Sequence, residues 1–175
     1  MEKPSAQATV VFLVNSEGKI GLAQKKQAIH SDTGEISYSL LTYNGWGGKR
    51  ESVDISILDT AIRELTEEAG VTAKKEDLEP VFRAYFYTKN KENEGYTPFM
   101  DVLFYFLYVW EGDVLEGEEM GAPVFFEKNA LPYDLMMPAD KYLMEQALIG
   151  VRGVFEVKLN GKNNPPEIKI LDEVL

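Results

Sequence analysis

Three glutamates offer the most definite chemistry in this chain. Glu64, Glu67 and Glu68 stand at i, i+3 and i+4 of a stretch that reads as a helix over residues 56–69. At 100° per residue their carboxylates fall within an arc of about 100°. Without a ligand this arrangement is costly. Like charges at these spacings repel by about 0.2–0.5 kcal/mol per pair. The helix stops at Gly70, so all three lie in its last two turns, where the macrodipole disfavours each anion by about 0.3–1 kcal/mol. A divalent cation removes both penalties, and carboxylate oxygens are the hard donors that Mg²⁺ selects. The bland alternative, left open by spacing alone, is a solvated acidic face.

Just upstream runs Gly45-Trp46-Gly47-Gly48-Lys49. Glycines let a backbone approach a ligand or another chain segment closely. The run has neither the P-loop spacing nor the dinucleotide fingerprint. Other chemistries are excluded by composition. There is no Cys, hence no thiolate nucleophile and no Cys-based metal centre. The single His, His30, sits in a polar stretch and reads as a surface residue, so a multi-His metal site is impossible. With 18 Lys+Arg against 29 Asp+Glu the net charge is −11, which argues against nucleic acid as a partner. A small anionic substrate is still compatible, provided metal ions stand between the two negative charges. The longest apolar run, residues 102–110, has nine residues, well short of the twenty or so that a membrane helix needs. No signal-peptide pattern opens the chain. A cytoplasmic enzyme or binding protein, folded as one domain over residues 1–175, is the expectation.

The elements that must hold the glutamates follow from patterning. Residues 8–14 and 19–26 read as a hairpin about the turn at 15–18. Residues 27–42 read as loop, and 43–52 as too Gly-rich for regular structure throughout. Ser56 and Asp59 have capping-box spacing, and Leu58, Ile62, Leu65 and Ala69 form an apolar stripe. Two aromatic-rich strands, 80–89 and 97–110, precede an acidic loop at 111–121 and a short strand at 123–127. Pro138 opens a second helix that ends at Gly150, and residues 153–159 and 167–175 form a last hairpin. The sum is an α+β chain with mostly antiparallel strands and two main helices.

Taken together, Gly47-Gly48-Lys49, the helix and Arg63-Glu-Leu-Thr-Glu-Glu-Ala-Gly-Val71 resemble the Nudix box. Arg63, Glu64, Leu65, Glu67, Glu68, Gly70 and Val71 match its second half in register. The first half departs. Asp54 stands where the box has Glu, nine residues before Arg63 rather than eight, so the loop is one residue longer and Asp54 or Glu51 must substitute. The resemblance implies the Nudix fold, an α/β/α sandwich with a mixed, mostly antiparallel sheet.

Beyond the box, YNGWGGK, FMDV (99–102), EEM (118–120), LMMPADKY (135–142) and GVFEV (153–157) look like the oxidised-purine nucleoside triphosphate diphosphatases, the MutT-type 8-oxo-dGTPases. That resemblance implies Mg²⁺, replaceable by Mn²⁺, on Glu64, Glu67, Glu68 and the Gly47 carbonyl. It implies that Arg63 orients the glutamates and that Glu119 reaches the metals or the attacking water. Asn44 and Asp140 would read the base, with Met137, Lys25 and Thr9 lining its pocket. The family's Trp-Pro-Asp-Asp is here Met137-Pro138-Ala139-Asp140, so the second carboxyl and the stacking ring are missing and a different base preference is implied. The implied reaction turns a purine nucleoside triphosphate into the monophosphate and pyrophosphate. The alternatives are hydrolysis of another diphosphate, such as ADP-ribose or a dinucleoside polyphosphate, and a silent nucleotide-binding Nudix domain. Monomer and dimer are not distinguished.

Overall fold

The computed structural model describes residues 1–26, 41–90, 95–161 and 164–172. His30, most of the 27–42 segment and residues 173–175 lie outside the described residues. The strands are β1 (Gln7–Val14), β2 (Ile20–Gln24), β3 (Tyr43–Asn44), β4 (Leu78–Lys89), β5 (Tyr96–Leu107), β6 (Val124–Phe126), β7 (Gly153–Leu159) and β8 (Glu167–Asp172). The helices are α1 (Ile57–Ala69) and α2 (Pro138–Leu148). Short 3₁₀ turns at Lys75–Asp77 and Tyr133–Leu135, not foreseen from patterning, precede β4 and α2. Among the described residues no helix is long and apolar enough to cross a membrane.

The strands form one sheet in the order β3-β2-β1-β5-β4-β7-β8, with β6 pairing β2 on its other side. Pairing is parallel for β1–β5 and β4–β7 and antiparallel elsewhere. Alternation along β1 splits the core in two. Val11 and Leu13 join Ala61, Leu65 and Ala69 of α1. Phe12 and Val14 join Leu143, Met144 and Ala147 of α2 on the opposite face. This is the α/β/α layering that the resemblance implies, with each helix burying one face on one side of the sheet.

β5 stops three residues before the expected end. Leu107 is already paired with Leu78, the first residue of β4, so β4 offers nothing for Tyr108 to pair with. Trp110 instead stacks on Phe125, with 6.4 Å between ring centroids, and Glu111 bridges to Thr72.

The Gly-rich segment is more ordered than its composition suggests. β1 pairs β2 only through Leu13–Gly21 and Val14–Ile20. Below that point the Gly-rich segment takes over as the partner of β1. Trp46 exchanges both backbone bonds with Val11 (2.7 and 3.0 Å), the Thr9 amide donates to the Gly48 carbonyl (2.9 Å), and the Arg50 amide donates to Gln7 (2.9 Å). A Cβ on Gly47 would collide with the Thr9 backbone, so only glycine permits this approach.

α1 begins as predicted. The Ser56 side chain accepts from the Asp59 amide (3.3 Å), and Asp59 accepts from the Ser56 amide (2.8 Å). It ends at Gly70, whose φ of 71° suits the left-handed C-cap. Ser56→Ala should therefore destabilise the protein by about 0.5–2 kcal/mol through loss of the capping box. Urea unfolding checks this: the midpoint should fall with an unchanged slope, and an unmoved midpoint would show that water replaces the cap.

Candidate active site

Arg63 organises the site. Its Nε donates to Asp54 Oδ1 (3.1 Å), and its Nη2 donates to Asp54 Oδ2 (3.0 Å) and to the Lys49 carbonyl (2.9 Å). Its Nη1 donates to Glu64 (2.8 Å) and Glu67 (3.1 Å). Asp54 is buried and also accepts from the Thr60 hydroxyl and the Glu51 amide, both at 2.9 Å. These donors, Arg63 first, hold the Asp54 carboxyl well below the usual carboxylate range, and Asp54 in turn raises Arg63. Of the two candidates for the displaced box acid, the geometry favours Asp54. Glu51 is exposed and no nearer than 4.0 Å to the guanidinium. The longer loop is gathered in by Arg50, whose Nη2 donates to the carbonyls of Asp54 (3.3 Å) and Ile55 (2.9 Å).

The three glutamates separate by burial. Glu68 lies in the buried stripe of α1, and its carboxylate accepts from the Gly47 amide at 2.8 Å. Glu64 sits directly under Gly48, where any Cβ would strike its carboxylate. Glu67 stays on the exposed flank, reached by Arg63. Burial pushes Glu68 up to about 7, against the pull of the Gly47 amide, and raises Glu64 against the pull of Arg63. The negative charge of Glu119, in the acidic loop, raises both further.

This donor set fits a divalent cation. Two carboxylates under a glycine ledge, Glu68 buried and Glu64 half-buried, are raised rather than lowered, which is the signature of anions short of compensating charge. Glu64, Glu68, the Gly47 carbonyl, Glu67 and Glu119 are all hard oxygen donors. Among the described residues, however, no three acids already converge as a cage, since Arg63 draws Glu64 and Gly47 draws Glu68.

The other end of the site lies at the start of α2. The Asn44 side-chain amide donates to Asp140 Oδ2 (3.2 Å), while its oxygen accepts from the Gly45 amide (2.8 Å). This fixes which way the Asn44 amide faces. Asp140 is half-buried, and burial pushes its carboxyl up to about 6, opposed by the positive charge of Lys25. That same charge also lowers Glu68, so Lys25 stands in the field of both ends. Thr9 is buried with its hydroxyl unpartnered, as is the Trp46 indole N–H. Met137, half-buried, is the residue from which α2 starts. Ala139 is packed into the α2-side core rather than open to solvent.

Two contributors escape sequence reading. Arg50 gives no signal beyond its charge, and Gly117, which touches the Glu68 backbone, looks like an ordinary loop glycine.

A family model described as NUDIX domain matches residues 4–147. No curated protein sequence matches the chain. Among solved structures, the fold is similar to the mutator MutT protein from Bacillus halodurans, with 19% identity, TM-score 0.69, and coverage of 94% of this chain and 97% of that one. It is also similar to a MutT Nudix hydrolase from Burkholderia pseudomallei, with 19% identity, TM-score 0.60, and coverage of 83% and 98%. An ADP-ribose pyrophosphatase from Streptococcus suis is a further neighbour, with 22% identity, TM-score 0.50, and coverage of 82% and 91%. The family match spans the Gly-rich ledge, the Arg63 hub, the glutamate helix and the start of α2 together, and the chain belongs to the Nudix hydrolase family.

Proposed function

We propose that this Nudix hydrolase is a single-domain, Mg²⁺-dependent nucleoside triphosphate diphosphatase, in which Mn²⁺ can replace Mg²⁺, and that it releases a nucleoside monophosphate and pyrophosphate from purine nucleotides. The observation that carries this reading is the pair under Gly47 and Gly48: Glu68, buried and held by the Gly47 amide, and Glu64, half-buried and tied through Arg63 to Asp54. When bound, the metal supplies charge neutralisation for the phosphate oxygens and the departing pyrophosphate. Glu68, held by the Gly47 amide, accepts the proton of the attacking water. Glu119 and Glu67 complete the donor set, and Arg63 fixes the carboxylate it touches. Asn44 and Asp140 present a polar edge to the base, with Lys25, Thr9 and Met137 around it. No covalent intermediate is needed.

Position 139 bears on specificity. The second carboxyl that the resemblance would place there is absent, and Ala139 faces the apolar cluster. A pocket hydrogen-bonding fewer polar atoms rejects their absence less strongly. The enzyme should therefore discriminate weakly between oxidised and normal purine triphosphates, as read by kcat/KM for dGTP and 8-oxo-dGTP. The ADP-ribose pyrophosphatase among the fold neighbours favours a second reading, cleavage of ADP-ribose. A substrate panel with product analysis separates the two.

Glu68→Gln should keep the fold and lower turnover by about 10²–10⁴, the scale of losing a positioned acid–base group. Its melting temperature without metal should hold or rise, because a buried charge is removed. Mg²⁺ should raise the melting temperature of the wild type by mass action, and that of Glu64→Gln by less. Near-normal turnover in Glu68→Gln, or a wild-type melting curve that Mg²⁺ leaves unmoved, contradicts the metal assignment.

Asp140 gives a pH-dependent outcome. Its folded pKa, about 6, lies above the ordinary 3.8, so the folded state binds the proton more tightly than the unfolded one. The stability it contributes is fully present below about pH 4 and is lost as pH rises through 6. Asp140→Asn should remove that loss. Melting temperatures of the two proteins, measured from pH 4 to 7, should draw apart in favour of the variant as pH rises through 6. Parallel curves would place the carboxyl in water. The same variant should lose more kcat/KM with purine than with pyrimidine triphosphates.

A further inference from the structure

The acidic loop between β5 and β6 approaches α1 more closely than a side chain would allow. A Cβ on Gly117 would stand 2.5 Å from the carbonyl oxygen of Glu68 and 3.5 Å from its Cα. Gly117 is not in the left-handed region reserved for glycine. Its backbone suits alanine, and only the contact with α1 excludes one. The loop is fastened on both sides of this contact. The Leu115 amide donates to the last carbonyl of α1, Ala69 (2.9 Å), and the Gly117 amide to Met120 (3.0 Å). The Lys26 amide donates to the Glu119 carbonyl and the Gly121 amide to Gln24, both at 2.8 Å. Glu119 thus hangs on a short span fastened to α1 at one end and to the end of β2 at the other.

We propose that Gly117 is a positioning residue: its missing side chain lets the acidic loop lie on the Glu68 backbone, and that contact sets the Glu119 carboxylate beside Glu64 and Glu68. The proposal rests on the reading of Glu119 as part of the metal site. The field of Glu119 at both glutamates agrees with it. Restoring an ordinary van der Waals separation from 2.5 Å requires the loop to move by about 1 Å, and a misplacement of about 1 Å can cost on the order of 10²-fold in rate.

The test is a double-variant cycle on Gly117→Ala and Glu119→Gln. It reads Mn²⁺ affinity by electron paramagnetic resonance and kcat and KM with dGTP. Gly117→Ala should weaken Mn²⁺ binding and lower kcat by about 10–100-fold with KM little changed. Glu119→Gln should do the same, and the double variant should be no worse than Glu119→Gln alone, because coupled residues are non-additive. Leu115→Pro removes the amide bonded to Ala69 and sets its ring against the Ala69 carbonyl, loosening the loop from α1 without filling the space at Gly117. It should reproduce the pattern, and it serves if the alanine variant does not fold. Glu116→Gln, which loses only the exposed 2.6 Å pair with Lys26, should match the wild type. Losses that multiply in the double variant would show that Gly117 acts through Glu68 itself and overturn the proposal, as would a Gly117→Ala protein indistinguishable from wild type. A silent Glu119→Gln beside a damaged Gly117→Ala would instead overturn the role of Glu119 on which the proposal rests.

Discussion

The fork between Arg63 and Asp54 is the contact on which the site depends. Arginine has five N–H donors in a fixed plane, and here all five are used: two on Asp54, one on the Lys49 carbonyl, one on Glu64 and one on Glu67. The guanidinium therefore ties together three pieces of chain at a single point. These are the loop before α1, the end of the Gly-rich segment and the glutamate face of the helix. Lysine, with three donors and no plane, could not hold this set. Two-point contact with a buried carboxylate leaves Arg63 one fixed orientation, and the direction in which Glu64 is held follows from it.

The sheet supplies the second constraint. Because β1 and β2 part after two residue pairs, the backbone of β1 is left with unpaired polar groups that must be satisfied. The Gly-rich segment meets that demand with Trp46, Gly48 and Arg50. Its glycines then lie against β1 on one side and the Glu64–Glu68 face of α1 on the other. Trp46, fully buried beneath, anchors the ledge in the α1-side core. The same glycines thus complete the sheet and present the Gly47 amide to Glu68.

Much of this was legible in the sequence wherever local chemistry decides it. The capping box of Ser56 and Asp59, the Gly70 terminus and the stripe ending in Leu65 and Ala69 are short-range rules, and they hold. The seven box positions located the glutamates, though helical spacing alone could not say which would be buried. That is decided by where α1 meets the sheet, which draws in Glu64 and Glu68 and leaves Glu67 outside. Long-range partners account for the rest. The end of β5 depends on where β4 begins. The replacement of the box acid by Asp54 depends on a loop path that Arg50 and Thr60 close. Nothing in the acidic loop's sequence announces that one of its glycines rests on a helix backbone.

Lys25 resolves an apparent conflict in the electrostatics. A chain of net charge −11 gathers further acids at both ends of one site, Glu64, Glu68 and Glu119 at one and Asp140 at the other. Its positive charge lowers Glu68 and Asp140 alike, yet both stay above the ordinary carboxylate range because desolvation outweighs it. One lysine cannot neutralise two separate desolvated acids. At the glutamate end the deficit fits a divalent cation, whose charge also bridges an anionic substrate to an acidic protein. At the Asp140 end, among the described residues, Lys25 is the one cation that acts on the carboxyl, and the deficit is met by proton affinity together with the fixed Asn44 amide. The two ends therefore answer the same burial cost differently. The glutamates are left with a deficit that a cation fits, and Asp140 with one that a proton fits.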